Sequence, residues 1–320
     1  MDEQVRHIDV VIPVFNEEEI IETLYQRTSA ALDGMTGWSW RMILVNDGSS
    51  DTTWALIEQL HARDPRVVGV DLARNFGHQP AILAGLEQAN ADIVVTMDGD
   101  LQDPPELIPQ LVAPIVAGEC DIATAMRRSR KERGIRGFLL RAFHKLFKWI
   151  SDFPIDEETG TYCAMSRRAH DHFVALQERN RFFPGLRAWV GFEHTMVEYD
   201  RDERLGGEPK QTMARLFRYA FDAIFSFSYK PLRLIFFAGT AVFVTGLALA
   251  AWFLARRLSG VETAEQGFTT LVTLILVFGG SNLMAIGVLG QYLGRIYDEV
   301  KHRPHYIVRT VLDQPTEQDA

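Results

Sequence analysis

Two carboxylates one residue apart, in Asp98-Gly99-Asp100, are the sharpest chemical feature of this chain. Such a pair at the mouth of a sheet can hold a hard divalent cation and still leave coordination positions for phosphate oxygens. Gly99 between them lets a ligand come close to the backbone, and Gln102 offers a neutral oxygen nearby. Alone, Asp-x-Asp is a weak signal, because acidic loops often contain it. Asp47, in Asn46-Asp47-Gly48-Ser49-Ser50-Asp51, adds weight, because both motifs follow a short apolar run that reads as a buried strand. Together they predict a metal-bound diphosphate, with Asp47 accepting from a base or ribose. His78, in Arg74-Asn75-Phe76-Gly77-His78-Gln79, reads instead as a capping or core residue. Cys120 and Cys163 are too few for a disulfide framework or a four-cysteine zinc site, and Cys163 is expected to pack.

The elements that must position these residues alternate. Strands are expected at Ile8–Val14, Arg41–Val45, Val67–Leu72, Asp92–Met97 and Asp121–Ala125. Between them, Asn16 is expected to cap a helix whose first turn holds Glu17, Glu18 and Glu19. Further helices are expected over Thr52–Ala62 and Gln79–Ala89 and from Pro105 onward. This alternation predicts an α/β fold with a parallel, doubly wound sheet, whose ligands sit at the carboxyl ends of strands. Asp47 and the Asp98/Asp100 pair fall there. No G-x-G-x-x-G follows the first strand, which disfavours a nicotinamide or flavin dinucleotide.

Charge and hydropathy divide the 320 residues unevenly. Met1–Met126 carries 6 basic against 21 acidic residues, Arg127–Lys148 carries 9 basic against one acidic, and the total is −9. The acidic total argues against a nucleic-acid partner. The basic block from Arg127, and a second group at Arg201, Arg204 and Lys210, suit phosphates or an anionic surface. Apolar residues recur at helical spacing from Ile135 to Ile150 and from Leu216 to Phe225, as in interfacial helices. Leu234–Leu254 and Gly267–Gly294 hold no charged residue. At ~1.5 Å per residue each can cross a hydrocarbon core of ~30 Å. The flanking Lys230, Arg233, Arg295, Lys301 and Arg303 place both termini on the cytoplasmic side by the positive-inside rule. No signal peptide is expected after Asp2 and Glu3. The expected division is therefore a cytoplasmic domain over 1–212, a juxtamembrane amphipathic helix over 213–232, and a transmembrane hairpin over 233–294. Its spans lie at about 234–254 and 268–290. A cytoplasmic tail over 295–320 follows, polar and frayed after Thr310. Gly290 and Gly294 allow close helix packing, which leaves a homo-oligomer open.

The segments VIPVFNEEE, VNDGSSD, LARNFGHQPAILAGL, MDGDLQDPPE, FSFSYKPLRL and GQYLGRIYDEVKHRPHYIV, with the R-x-x-R-x-x-G-x-x-K run at Arg201–Lys210, carry a resemblance. The chain resembles family 2 glycosyltransferases of GT-A fold, with a Rossmann-like, mostly parallel sheet. Within them it is similar to polyisoprenyl-phosphate glycosyltransferases, both the bactoprenol glucosyltransferases and the dolichol-phosphate mannose synthase group. The resemblance implies an inverting transfer of a sugar, glucose from UDP-glucose, onto polyprenyl (undecaprenyl) phosphate at the cytoplasmic membrane face. It implies that Pro13, Phe15, Glu17, Asp47, Asp98 and Gly99 line the nucleotide. It further implies that Asp98, Asp100 and Gln102 bind Mg²⁺ or Mn²⁺, and that Arg127, Arg204 and Lys210 hold phosphates.

Three departures stand out. Relatives commonly have Asp-x-Gly-Asp-Phe-Arg where this chain has Glu158-Thr159-Gly160-Thr161-Tyr162-Cys163, so one carboxylate and one arginine are missing. Pro209 replaces a Ser or Thr, and Gln291 stands where Glu is common. With Thr161 in place of a carboxylate, Asp156 and Glu158 become the groups expected to orient the acceptor or assist proton removal, beside Asp100. The alternatives are another donor (a 4-amino-arabinose derivative, N-acetylglucosamine or GDP-mannose) or a non-catalytic membrane scaffold. A processive polysaccharide synthase is disfavoured, because a Gln-x-x-Arg-Trp motif and further spans are missing.

Overall fold

The structure, a computed structural model, describes residues 6–127, 159–199 apart from 177 and 179–182, 235–242 with scattered positions up to 259, and 268–313. The first apolar run forms β1 (Arg6–Val14), whose last seven residues are buried. It lies parallel to β2 (Trp38–Asn46) on one side and β4 (Ile93–Thr96) on the other, and β2 is parallel to β3 (Val67–Leu72). Near-continuous Val, Ile and Leu in these strands is what parallel strands covered on both faces require.

The connections are α1 (Ile21–Asp33), α2 (Thr53–Arg63) and α3 (His78–Gln88). A 3₁₀ turn at Pro105–Leu107 then leads into α4 (Ile108–Val116) and β5 (Ile122–Arg127). α3 lies hard against the sheet: a Cβ on Gly85 would fall 2.3 Å from Val11 Cγ1 and 2.8 Å from Val45 Cγ2. That close approach seats the start of α3 beside the carboxyl ends of β1 and β2.

The second half of the sheet departs from the purely parallel pairing of β1 to β4. After β5 come β6 (Thr159–Ser166), α5 (Arg167–Val174), α6 (Phe183–Val190) and β7 (His194–Tyr199). The strand order is β7-β5-β6-β4-β1-β2-β3 followed by one further strand, β8 (Val308–Leu312). β6 is antiparallel to β4 and β5, and β8 is antiparallel to β3. The sheet is therefore mixed, in an α/β arrangement. β6 is rich in small residues and lacks the Val/Ile signature, yet Tyr162, Cys163, Ala164 and Met165 are all buried between its two neighbours. Packing, not propensity, makes it a strand. β8 corrects the reading of a frayed end, since Thr310, Val311 and Leu312 pair with Asp71, Val70 and Gly69.

The chain divides into two compact units. One comprises Met1–Arg141, Phe153–Gln211 and Arg303–Ala320, and holds the sheet; the other comprises Ala142–Asp152 and Thr212–His302. In the second unit, residues 235–242 are helical, and α7 (Phe268–Val300) runs for 33 residues. Among the described residues no helix is long and apolar enough to cross a membrane, the side chains of α7 being described only in part. The expected interfacial stretches, Ile135–Ile150 and Leu216–Phe225, lie outside the described residues.

Candidate active site

A cleft of about 400 Å³ opens at the carboxyl ends of β1, β2 and β4, walled by Pro13, Phe15, Glu17, Asp47, His78 and the Asp98-Gly99-Asp100 run, among others. Four loops build it, those after β1, β2, β3 and β4, and polar contacts tie them to one another.

The loop after β1 is not the helix start that Asn16 and its three glutamates predict. Asn16 takes a left-handed φ of 54°, its N–H donates to Ser49 Oγ at 2.9 Å, and its Oδ1 accepts from Ser50 N at 2.9 Å. Asparagine tolerates that conformation better than most residues, and its amide is occupied across the loop rather than capping. Glu17 N–H donates to Thr53 Oγ1, and Glu18 Oε2 accepts from both the N–H and the hydroxyl of Thr52. α1 consequently begins only at Ile21, with no side-chain cap. The acidic run ties the β1 loop to the β2 loop, and leaves Phe15 standing 45% exposed at the cleft.

After β2, Gly48 turns the chain at φ +66°, where a Cβ would lie 2.3 Å from the carbonyl carbon of Arg74. Asp47 beside it is buried, and its two oxygens accept from the N–H groups of Phe76 (2.7 Å) and Gly77 (2.9 Å). Burial pushes the Asp47 carboxyl above its ordinary value, against those two N–H groups and the nearby His78 and Arg74. Asp47 thus shapes the β3–α3 loop, leaving one lone pair on each oxygen for a ligand.

After β4, Gly99 sits against β1. A Cβ there would be 2.9 Å from both Pro13 O and Val14 Cγ1. Asp98 Oδ1 accepts from Thr161 Oγ1 on β6 at 2.7 Å and faces His78 Nε2 at 3.3 Å. Burial pulls the His78 imidazole down, but the Asp98 carboxylate, with Asp47 and Asp100 beyond it, more than offsets this and raises its pKa. Asp100 Oδ1 accepts from the backbone N–H of Gln102 at 3.1 Å. Gln102 is buried, and its backbone N–H is the donor to Asp100.

Asp98 and Asp100 fit a hard divalent cation as a partial donor set. Among the described residues no three His, Cys, Asp or Glu side chains are placed to hold a metal by themselves. Ligand oxygens would have to complete the shell, as they do for cations that bind with a phosphate substrate.

Of the other expected residues, Arg127 ends β5 and only its backbone is described, while Asp156, Glu158, Arg204 and Lys210 lie outside the described residues. Cys120 and Cys163 are both buried and free. Sequence reasoning misjudged His78 and did not anticipate that Asn75, Gly77 and His78 wall the cleft. The available signal was their place between a buried strand and a helix of a parallel sheet, where such loops hold ligands.

The sequence profile of glycosyl transferase family 2 matches residues 9–173. The chain is also 39% identical over 307 residues to the uncharacterized glycosyltransferase YkcC of Bacillus subtilis, covering 95% of this chain and 94% of that one. The chain belongs to glycosyl transferase family 2. This family 2 glycosyltransferase is also 39% identical over 303 residues to the bactoprenol glucosyl transferase of Shigella phage SfV, covering 94% of this chain and 98% of the relative. Among solved structures it resembles the glucosyl-3-phosphoglycerate synthase of Mycobacterium tuberculosis, at 24% identity and a TM-score of 0.46, covering 69% of this chain and 79% of that one. The segment that matches the family contains every residue named above in the cleft wall, together with Thr161. β8 of the glycosyltransferase lies beyond it.

Proposed function

We propose that this glycosyltransferase moves glucose from UDP-glucose onto a polyprenyl phosphate, with inversion, at the cytoplasmic face of a membrane. The observation that carries the reading is the Asp98/Asp100 pair in one cleft with Asp47 and the exposed ring of Phe15. Carboxylates for a metal-bound diphosphate, an aromatic face for a base and a buried acceptor for a ribose are the groups a nucleotide sugar needs. The near full-length likeness to bactoprenol glucosyl transferases supports the lipid acceptor.

The reaction asks little of a protein base. A phosphate monoester has a second pKa of ~6, so at neutral pH most of it already carries an unprotonated oxygen. That oxygen attacks the anomeric carbon, the bond from carbon to the β-phosphate oxygen breaks, and the electron pair leaves with UDP. A bound Mg²⁺ or Mn²⁺, held by Asp98 and Asp100, would neutralise charge on the departing diphosphate. The chain's own work is positioning and keeping two anions together. Arg127, Arg204 and Lys210 are the cations proposed for that work, and Glu158 and Asp156 the groups proposed to orient the acceptor.

The charge-free stretches at 234–254 and 268–290 are proposed as a membrane hairpin that brings the lipid phosphate to the catalytic domain over residues 1–212. On α7, Leu271, Ile275, Phe278, Leu283, Ile286, Leu289 and Leu293 are exposed, as a lipid-facing helix requires.

Membranes containing the protein, offered a panel of nucleotide sugars and undecaprenyl phosphate, test the reading by the mass of the glycolipid made. A hexose adduct from UDP-glucose is the expected product. A different adduct mass reassigns the donor, and donor hydrolysis with no lipid product at all overturns the acceptor.

A further inference from the structure

The strand that follows α7 in sequence reaches into the wiring of the cleft. β8 carries a β-bulge: Thr310 pairs with Asp71 and Val308 with Leu72, so Arg309 is the extra residue. A bulge re-aims the side chain at the irregularity, and such bulges concentrate beside active sites. Here it turns the Arg309 guanidinium toward the carboxyl end of β3. Its Nη1 donates to Asp71 Oδ2 at 2.9 Å and its Nη2 to Ala73 O at 2.7 Å.

Both contacts lead to ligand-facing loops. Asp71 is buried, and its other oxygen accepts from Asn46 Nδ2 at 2.7 Å. Asn46 Oδ1 in turn accepts from Ser49 N at 3.1 Å, and Ser49 Oγ accepts from Asn16 N in the loop that carries Phe15 and Glu17. Ala73 begins the loop that runs through Asn75 to Gly77, whose N–H groups hold Asp47. Ala73 N also donates to Ile307 O at 2.8 Å, and the Tyr306 hydroxyl bonds Glu87 on α3. One side chain therefore braces two of the four loops that wall the cleft, without lining it.

We propose that Arg309 is a positioning residue for the nucleotide-sugar donor, acting through Asp71–Asn46 on the β2 loop and through Ala73 on the β3–α3 loop. The physical reason is the buried Asp71 carboxylate. With Arg309 gone, the carboxylate keeps only Asn46 among these partners and must be rehydrated or must turn. Either response releases the loops that hold Asp47 and Phe15. Among the described residues the bonds traced from Arg309 end on the loops that carry Phe15, Glu17 and Asp47, the groups proposed for the nucleotide, so the effect is expected on the donor. The inference rests on the donor reading above, and deepens it.

The test uses the full chain, with Arg309→Ala, Arg309→Lys, Asp71→Asn and the Arg309→Ala/Asp71→Asn double variant. In Arg309→Ala the donor KM, read with UDP-glucose or whichever nucleotide sugar of the panel the wild type uses, is expected to rise about three- to thirtyfold. kcat should stay within about twofold and the KM for undecaprenyl phosphate should not move. Amide hydrogen exchange of Phe76 and Gly77 is expected to quicken while the core strands exchange as before. Lys keeps one charge but a single nitrogen, so Arg309→Lys should fall between. The double variant should be no worse than the worse single one. An unchanged donor KM in Arg309→Ala overturns the proposal, as does a uniform loss of kcat, both KM values and core protection. If Arg309→Ala does not fold, a wild-type donor KM in Arg309→Lys overturns it equally. If the wild type transfers from no nucleotide sugar, the donor reading fails, and wild-type exchange at Phe76 and Gly77 in the variants still decides the positioning role.

Discussion

Thr161 donates its hydroxyl proton to Asp98 Oδ1 at 2.7 Å, while its own carbonyl accepts from Thr96 Oγ1 at 2.5 Å. One residue of the antiparallel β6 thereby holds the last residue of β4 and the first carboxylate beyond it. Thr161 is thus a neutral donor that fixes the Asp98 side chain.

Thr161→Val should therefore lower kcat/KM for the donor about tenfold, the usual worth of a hydrogen bond to a charged group. Val keeps the shape and removes the donor, so the thermal midpoint should change little. Thr161→Ser should retain most of the activity. Steady-state kinetics at several metal concentrations check this, and equal activity in the Val variant would remove Thr161 from the site.

Asp100→Asn should abolish transfer and leave the protein folded, and chelation of divalent cations should do the same to the wild type. Glu158→Gln should only slow it. The acid limb of the pH–rate profile should follow the acceptor's ionisation near ~6 in both wild type and Glu158→Gln. A limb displaced by more than about one unit in Glu158→Gln would assign the reactive ionisation to the protein.

Gly85→Ala gains about 1 kcal/mol of helix propensity on paper, yet its new methyl would sit 2.3 Å from Val11 Cγ1. Overpacking of that kind costs about 1–3 kcal/mol, so a net loss of stability is expected. The loss should shrink when Val11→Ala makes room. Thermal denaturation of the two single variants and the double one measures the coupling.

Asp64 accepts from the Arg66 guanidinium and N–H and from the Tyr25 hydroxyl. The Arg66 guanidinium foremost, against the opposing effect of burial, holds its carboxyl at about 2. The unfolded chain titrates it at ~3.9, so the bond stabilises the fold above about pH 4. That contribution is lost as the pH falls towards 2. Because Arg66 is nearly half exposed, it amounts to about 1–2 kcal/mol. Asp64→Asn should lower stability at neutral pH and narrow its gap to the wild type below pH 3, measured by urea unfolding at both pH values.

The chain's local order was readable where physical chemistry is local. β3 was legible at both ends, because Val67–Leu72 is a buried apolar run between turn residues. The Asp98/Asp100 pair and Asp47 were placed at strand ends by alternation alone, and the cleft gathers all three. What the sequence could not carry was partnership between distant segments. Asn16 has the chemistry of a cap, and only the neighbouring β2 loop decides that its amide bonds Ser50 instead. β6 lacks the Val- and Ile-rich run of β1 to β4 and is held as a strand by pairing with β4 and β5. His78 becomes a cleft residue because α3, with no side chain at Gly85, can lie directly on β1 and β2. Arg309, 238 residues from Asp71, meets it through one bulged strand pair at the sheet edge. Such contacts depend on loop closure over long separations, whose outcome is set by the packed sheet and not by any window of sequence.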